Sequence, residues 1–489
     1  MSKVPIYQRS IGAFSATMLI AGSMIGSGIF IVPAEMLRTG GTGSFLLLAW
    51  GLTAVLTLLG AHSYGELAGL FPRAGGQYVY LREAYGPLTA FLYGWTVFTI
   101  IETGAIAAVT MAFGKFLGTL APVVSESRYL LGPIHVPAFE LTSAVTVGPY
   151  HFGLTPARLC AIVIIVVLSF LNSFGARLGV WIQNVFTVAK LGSLAALILV
   201  GLLVASPGPV APADWVPRGA DAAMPFLAAL LVVQSGSLFS SDAWNSVTFI
   251  ASELREPRRT LPLALLVGPV LVMSLYLLAN LVYLRILGPT GIAAAGGDRV
   301  GSEALGAILG GRGASLMAVA ILVSTFGCAN GLILAGSRLY QAMAADGLFF
   351  PRAALLNRHG VPAFSMALQA AWACLLTLSG NYGQLLEFSI FASLLFYALT
   401  VAGIFVLRVR KPHLERPVKL LGYPVVPGLY LAGTLGIMAA LLVYRPSYTW
   451  PGLILMSLGL PVYYCSRRGT PRATLLLDVP PEEAGPPIA

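Results

Sequence analysis

The sequence predicts an all-α integral membrane protein with twelve transmembrane helices, and three observations carry that reading. The chain of 489 residues is 57% hydrophobic and only 10% charged, where a soluble chain would carry about 25% charged residues. Apolar runs of bilayer length recur from end to end; about 20 residues span a bilayer as a helix. Period-two alternation is absent, which excludes a β-barrel.

Taken in order, the spans are expected at about 11–37, 44–70, 88–117, 156–174, 179–205, 222–253, 260–287, 313–342, 363–380, 384–408, 423–444 and 449–466. The first run is longer than a signal-peptide core and more spans follow it. No separate soluble domain fits. Residues 1–466 read as one transmembrane domain, and 467–489 as a short tail, Pro-rich and acidic at its end, that is expected to be disordered. Lys3, Arg9, Arg73, Arg82, Arg177, Arg255, Arg258, Arg259, Arg352, Arg358, the run RVRKPHLERPVK, Arg467, Arg468 and Arg472 fall on one side. That positive-inside pattern predicts a multi-pass protein of the cell membrane with both termini cytoplasmic. It also accounts for the net charge of +10 without nucleic acid. Two cytoplasmic loops, 71–87 and 342–362, are amphipathic, and one outside loop, 118–155, is unusually long. The four cysteines, Cys160, Cys328, Cys374 and Cys465, are scattered. The five histidines are scattered too, so neither a disulfide framework nor a metal site is implied. No nucleophile–base set is visible, and no cofactor or enzyme activity is expected.

Two spans carry helix-weakening stretches near mid-membrane: AGSMIGSGIF (21–30) in the first and QSGSLFSSDAWNS (234–246) in the sixth. Lipid offers an unwound backbone no hydrogen bonds, so such a break needs a use. Corresponding breaks in two halves point to inverted repeats, about 11–205 and 222–408, around a mid-membrane site. The N–H groups of Ser27 and Gly28 would open the second half-helix and suit a carboxylate. Gly26 and Gly28 let a ligand approach the backbone. Carbonyls near Met24 and Phe239 would suit an ammonium. A site with both ends fits a zwitterion, an α-amino acid. The competing reading is close helix packing, since Gly22 and Gly26 also have small-xxx-small spacing.

Ionisable residues inside spans are functional hypotheses by default. Asp242 lies in the second break. Glu102 in the third span suits a proton relay or a hydrogen-bonded packing role. His62 and Glu66, one turn apart, suit a structural pair or gate contact.

These residues resemble a known family. GSMIGSGIF is similar to the first-helix signature of the amino acid–polyamine–organocation (APC) superfamily. FSSDAWNSVTFIASELREPRRTLP (239–262), WIQNVFTVAKLGSL (181–194), STFGCANGLILAGSRLYQAMAADG (324–347), RKPHLERPVK (410–419) and LPVYY (460–464) resemble the L-type amino acid transporters, in their stand-alone prokaryotic form. The resemblance implies five plus five helices in inverted repeat, LeuT-like, then two more at about 423–466. It implies sodium-independent exchange of neutral L-amino acids by alternating access, with proton symport or cationic amino acid and polyamine transport as alternatives. It places Met24, Gly26, Ser27, Gly28, Phe239, Ser241, Asp242 and Cys328 around the substrate, with Asn330 nearby. Lys190 matches a position where an ammonium fills the place of a sodium ion against carbonyls of the first and eighth spans; satisfying those carbonyls for stability alone is the other reading. Phe239-Ser240-Ser241 departs from the usual Phe-Ala-Tyr, and Ala243 stands where glycine is common. The outside loop after the third span lacks the cysteine that animal members use to join a heavy subunit, so no disulfide-linked partner is expected.

Overall fold

The computed structural model describes residues 7–142, 145–147, 149–204, 224–379 and 382–469. The first span is two helices, α1 (Ala13–Met24) and α2 (Gly28–Gly40), bent by 41° at residues 25–27. α3 (Gly43–Leu70) follows, then the short α4 (Gln77–Tyr85). The third span, Pro87–Leu120, joins α5 (Pro87–Thr96) and α6 (Glu102–Leu120) through one wide turn of π-helix, Val97–Ile101.

Beyond α7 (Pro156–Asn172) and α8 (Ala176–Val204) lies the second break. There α9 (Phe226–Val232) and α10 (Gln234–Ser240) end, residues 241–245 are irregular, and a 3-10 segment, Ser246–Glu253, resumes. α11 (Pro257–Ala293), α12 (Val300–Leu309), α13 (Gly311–Ala345), α14 (Ala363–Ser379), α15 (Tyr382–Arg410), α16 (Val425–Tyr444), α17 (Pro446–Ser457) and α18 (Gly459–Gly469) complete the chain.

Among the described residues, seven spans are long and apolar enough to cross a bilayer, and the bent α1–α2 pair makes an eighth. The other four expected spans coincide with shorter helices: α7, α9–α10, α14 and α17–α18. A 17-residue helix such as α7 rises about 25 Å at 1.5 Å per residue, against about 30 Å of hydrocarbon. The loop at 118–155 contains four short strands among its described residues. β1 (Leu131–Val136) pairs antiparallel with β4 (Tyr150–Leu154), and β2 (Phe139–Thr142) with β3 (Val145–Val147). In the tail, residues 470–489 lie outside the described residues.

The segment leading into α1 is held by backbone pairing. Ser10 and Ile11 donate N–H groups to the Glu253 carbonyl at 3.0 and 3.1 Å, and Arg255 donates back to Ile11 at 2.8 Å. Beneath them Arg338 on α13 donates to the Glu253 carboxylate at 2.8 Å, with both side chains buried. The loop at 71–87 docks on the 3-10 segment through the residues just ahead of α4: Gly75 N–H donates to Phe249 O at 3.0 Å and Ala74 N–H to Ser252 Oγ at 2.9 Å. Gly76 sits at φ +45° with Thr248 Oγ1 only 2.0 Å from where a Cβ would stand, so a side chain there is excluded by both strain and space.

The two amphipathic loops meet. Tyr78 donates to Asp346 at 2.8 Å, and Arg82 pairs with the same carboxylate. Burial works against the Glu83 charge, but Lys411 at 2.7 Å and Arg82 outweigh it and hold that carboxyl below its usual range. Glu66 pairs with Arg408 at 2.6 Å and Arg416 at 3.4 Å and accepts from Leu420 N–H at 2.8 Å. It thus ties α3 to the end of α15 and the segment after it.

Candidate functional site

The two breaks face each other across one cavity with about 670 Å³ of empty space, its mouth included. Met24, Gly26, Ser27 and Gly28 line it from the first break, and Phe239, Ser240, Asp242 and Ala243 from the second. The approach is close. A Cβ on Gly28 would lie 2.1 Å from Ser240 Oγ and 2.9 Å from its Cα, so only glycine fits there. Gly28 is the first residue of α2, and first-turn N–H groups have no partner within their own helix. Ala243 takes φ +66°, a left-handed conformation that costs a residue with a Cβ about 1–2 kcal/mol. That explains why glycine is at home in this position.

The freed carbonyls have taken partners. The Tyr276 hydroxyl, fully buried on α11, lies 3.0 Å from both Met24 O and Ser240 O and shares its one proton between them, bridging the two breaks. Met24 O also accepts from Gly26 N–H at 2.9 Å, and Phe239 O accepts from Asp242 N–H at 3.2 Å. The carbonyls expected to face an ammonium are therefore occupied in this conformation. A buried carbonyl without water must find a donor, and Tyr276 supplies one. Cys328, on α13, donates its thiol to Ser23 O at 2.9 Å.

Behind the first break the Lys190 ammonium donates to three carbonyls: Gly22 O at 2.7 Å, Ile25 O at 2.9 Å and Ser324 O at 2.8 Å. Its three N–H bonds are thereby all used. Ser324 Oγ adds donations to Ile25 O at 3.0 Å and Gly26 O at 3.2 Å. The residue is 2% exposed, and its charge is held by three backbone carbonyl dipoles.

On the other wall, the Tyr397 hydroxyl on α15 lies 2.5 Å from Asp242 Oδ1, to which it donates, with Asn245 Oδ1 at 3.2 Å as the weaker second acceptor of the same proton. Asn245 passes a hydrogen bond to Gln77 at 2.8 Å, and Gln77 to Thr400 at 3.0 Å. This chain runs from the cavity to the docked loop. Glu102 follows the π-helical turn and lines the same cavity, 5% exposed. The turn's carbonyls are picked up by neighbours: Trp372 donates to Thr99 O at 3.1 Å and Ser389 to Ile101 O at 3.2 Å. π-turns inside helices gather at functional sites.

Of the sequence-derived residues, Met24, Gly26, Ser27, Gly28, Phe239, Asp242, Cys328 and Glu102 share the cavity, and Lys190 stands directly behind it. Ser241 does not line it. Its hydroxyl lies 3.3 Å from Thr57 Oγ1, on a smaller cavity between α3, α10, α15 and α16. Asn330 is likewise elsewhere: fully buried, it bonds Asn172 and Gln183 at 2.9 Å each and joins α13 to α7 and α8. Sequence reasoning missed Tyr276, Ser324 and Tyr397. The available signal was a polar group in the middle of an apolar span.

Comparison with known proteins settles the family. The model of the amino acid permease family matches residues 11–462. This chain belongs to that family, within the APC superfamily and its L-type branch. The human b(0,+)-type amino acid transporter 1 is 28% identical over 99% of this chain and 96% of its own length. The human large neutral amino acids transporter small subunit 2 is 29% identical over 94% and 80%. The serine/threonine exchanger SteT of Bacillus subtilis (strain 168) is 29% identical over 94% and 96%. The permease is thus a multi-pass membrane transporter and not an enzyme.

Proposed function

We propose that this permease is a sodium-independent exchanger of neutral L-amino acids, with twelve spans in a five-plus-five inverted repeat followed by two more. The observation that carries the reading is the pair of facing breaks with Lys190 locked behind the first. The N–H groups of Ser27, the N-cap, and of Gly28, the first residue of α2, take the substrate carboxylate. The carbonyl edge of Met24 and Phe239 takes the ammonium, which competes at Met24 with the Tyr276 hydroxyl. Lys190 puts a fixed positive charge among carbonyls that would otherwise suit a metal cation, so no sodium ion is required. Phe239 covers the substrate, and Cys328 borders its side chain. Serine/threonine exchange and large neutral amino acid transport are the activities named for two of the relatives, and they fit a small zwitterion site. The chain acts without a disulfide-linked heavy subunit, in a cell membrane with both termini cytoplasmic.

Glu102 favours a second reading, in which a proton takes part. Labelled alanine uptake into vesicles, in sodium-free buffer at equal pH, tests the first. Uptake only into vesicles preloaded with unlabelled alanine is expected. Equal uptake into empty vesicles contradicts obligate exchange, and a requirement for a pH gradient favours the proton-coupled reading.

A further inference from the structure

The charge balance of the cavity is uneven. Glu102 and Asp242 both line it, and no Lys or Arg does among the described residues. Lys190 is spent on three carbonyls. The Asp242 carboxylate has the Tyr397 hydroxyl at 2.5 Å. Glu102 differs: its Oε1 is buried and has no hydrogen-bond partner among the described residues. The Gln369 amide oxygen on α14 is also buried and without a partner. Both side chains crowd onto Gly336, where a Cβ would meet Gln369 Oε1 at 2.6 Å and Glu102 Cγ at 2.7 Å. Two side chains with an orphaned acceptor oxygen thus converge on one glycine, and no hydrogen atom is supplied to either oxygen among the described residues. A proton on Glu102 supplies one, turning the carboxyl into a donor. A bare carboxylate in that position is costly unless a cation pairs with it.

We propose that Glu102 sets the charge selectivity of the cavity: it holds a proton when the substrate side chain is neutral and releases it to pair with an ammonium or guanidinium side chain. This rests on reading the cavity as the amino acid site. The balance is one positive charge for one. With a neutral substrate the site holds a carboxylic acid; with a cationic one it holds a carboxylate and the cation, and the proton has gone to the water on the entry side. Entry of lysine in exchange for internal alanine therefore carries one proton out. The titratable groups around Glu102 are Asp242 from the second break, Tyr93 on α5, Cys328 and Tyr340 on α13, and Tyr397 on α15. From α14 the side chain brought beside it is the neutral Gln369.

The test uses the full chain in vesicles preloaded with alanine and a luminal pH dye. External lysine is expected to raise luminal pH by about one proton equivalent per lysine, with no effect of membrane voltage. Its apparent affinity should rise up to about tenfold per pH unit while the carboxyl titrates. External alanine should give exchange with no net proton movement. In Glu102→Gln, the affinity for lysine relative to alanine should fall by about tenfold or more and lose its pH dependence. Alanine exchange accompanied by lysine exclusion, by lysine entry without proton movement, or by voltage-driven lysine entry overturns the proposal alone. So does an unchanged lysine-to-alanine ratio in the variant. Absence of alanine exchange overturns the site reading and the proposal together.

Discussion

Lys190→Ala is expected to lose exchange by about 100-fold or more while the protein still purifies as a folded species. The ammonium donates to Gly22, Ile25 and Ser324, which join α1, its break and α13. Hydrogen bonds to charged groups contribute about 1.5–3 kcal/mol each, so losing two of the three already covers two decades of rate. Those carbonyls belong to the segments that carry the cavity, and the damage should fall on the site before the rest of the fold, whose core runs through many other helices. Exchange in reconstituted vesicles, beside the elution profile in detergent, separates the two. Wild-type exchange would remove Lys190 from the mechanism. A folded but inactive variant would argue against a purely structural lysine.

Arg338→Ala should destabilise the protein by about 3–5 kcal/mol, the usual result of stranding one member of a buried ion pair. Arg338 is fully buried and Glu253 nearly so. Glu253 is also the residue whose carbonyl receives the N–H groups of Ser10 and Ile11. The pair therefore lies beside the backbone pairing that ties the segment before α1 to the 3-10 segment. Glu253→Leu combined with Arg338→Met should be much less damaging than either single change, because both charges leave together. Thermal unfolding in detergent reads this directly. Additive losses in the double variant would mean that the two side chains act independently.

The features legible in the sequence were those with a local cost. Glycines and serines inside an apolar run mark a break, and residues 25–27 and 241–245 do interrupt their helices. A lysine at mid-span has to find acceptors, and Lys190 found carbonyls at the first break and on α13. What escaped was long-range partnership. Tyr276 meets Met24 across 252 positions of sequence, and Arg338 meets Glu253 across 85. Neither pairing leaves a periodic trace. Ser241 shows the limit at shorter range. The backbone leaves the helix there and reaches φ +66° at Ala243, and no helical phase predicts which neighbour turns to the cavity. The strands at 131–154 escaped for a different reason. β1 is mostly exposed, and a strand without a buried face shows no alternation to read.

On the proposed reading the two facing breaks recognise both ends of a zwitterion without sodium. Displacement of labelled L-alanine from the purified protein in sodium-free buffer tests it, with L-alanine methyl ester and N-acetyl-L-alanine as competitors that each lack one charged end. Alanine should displace the label, and each blocked compound should be weaker by about tenfold or more. Equal displacement by either blocked compound, or binding that appears only with sodium, would contradict it.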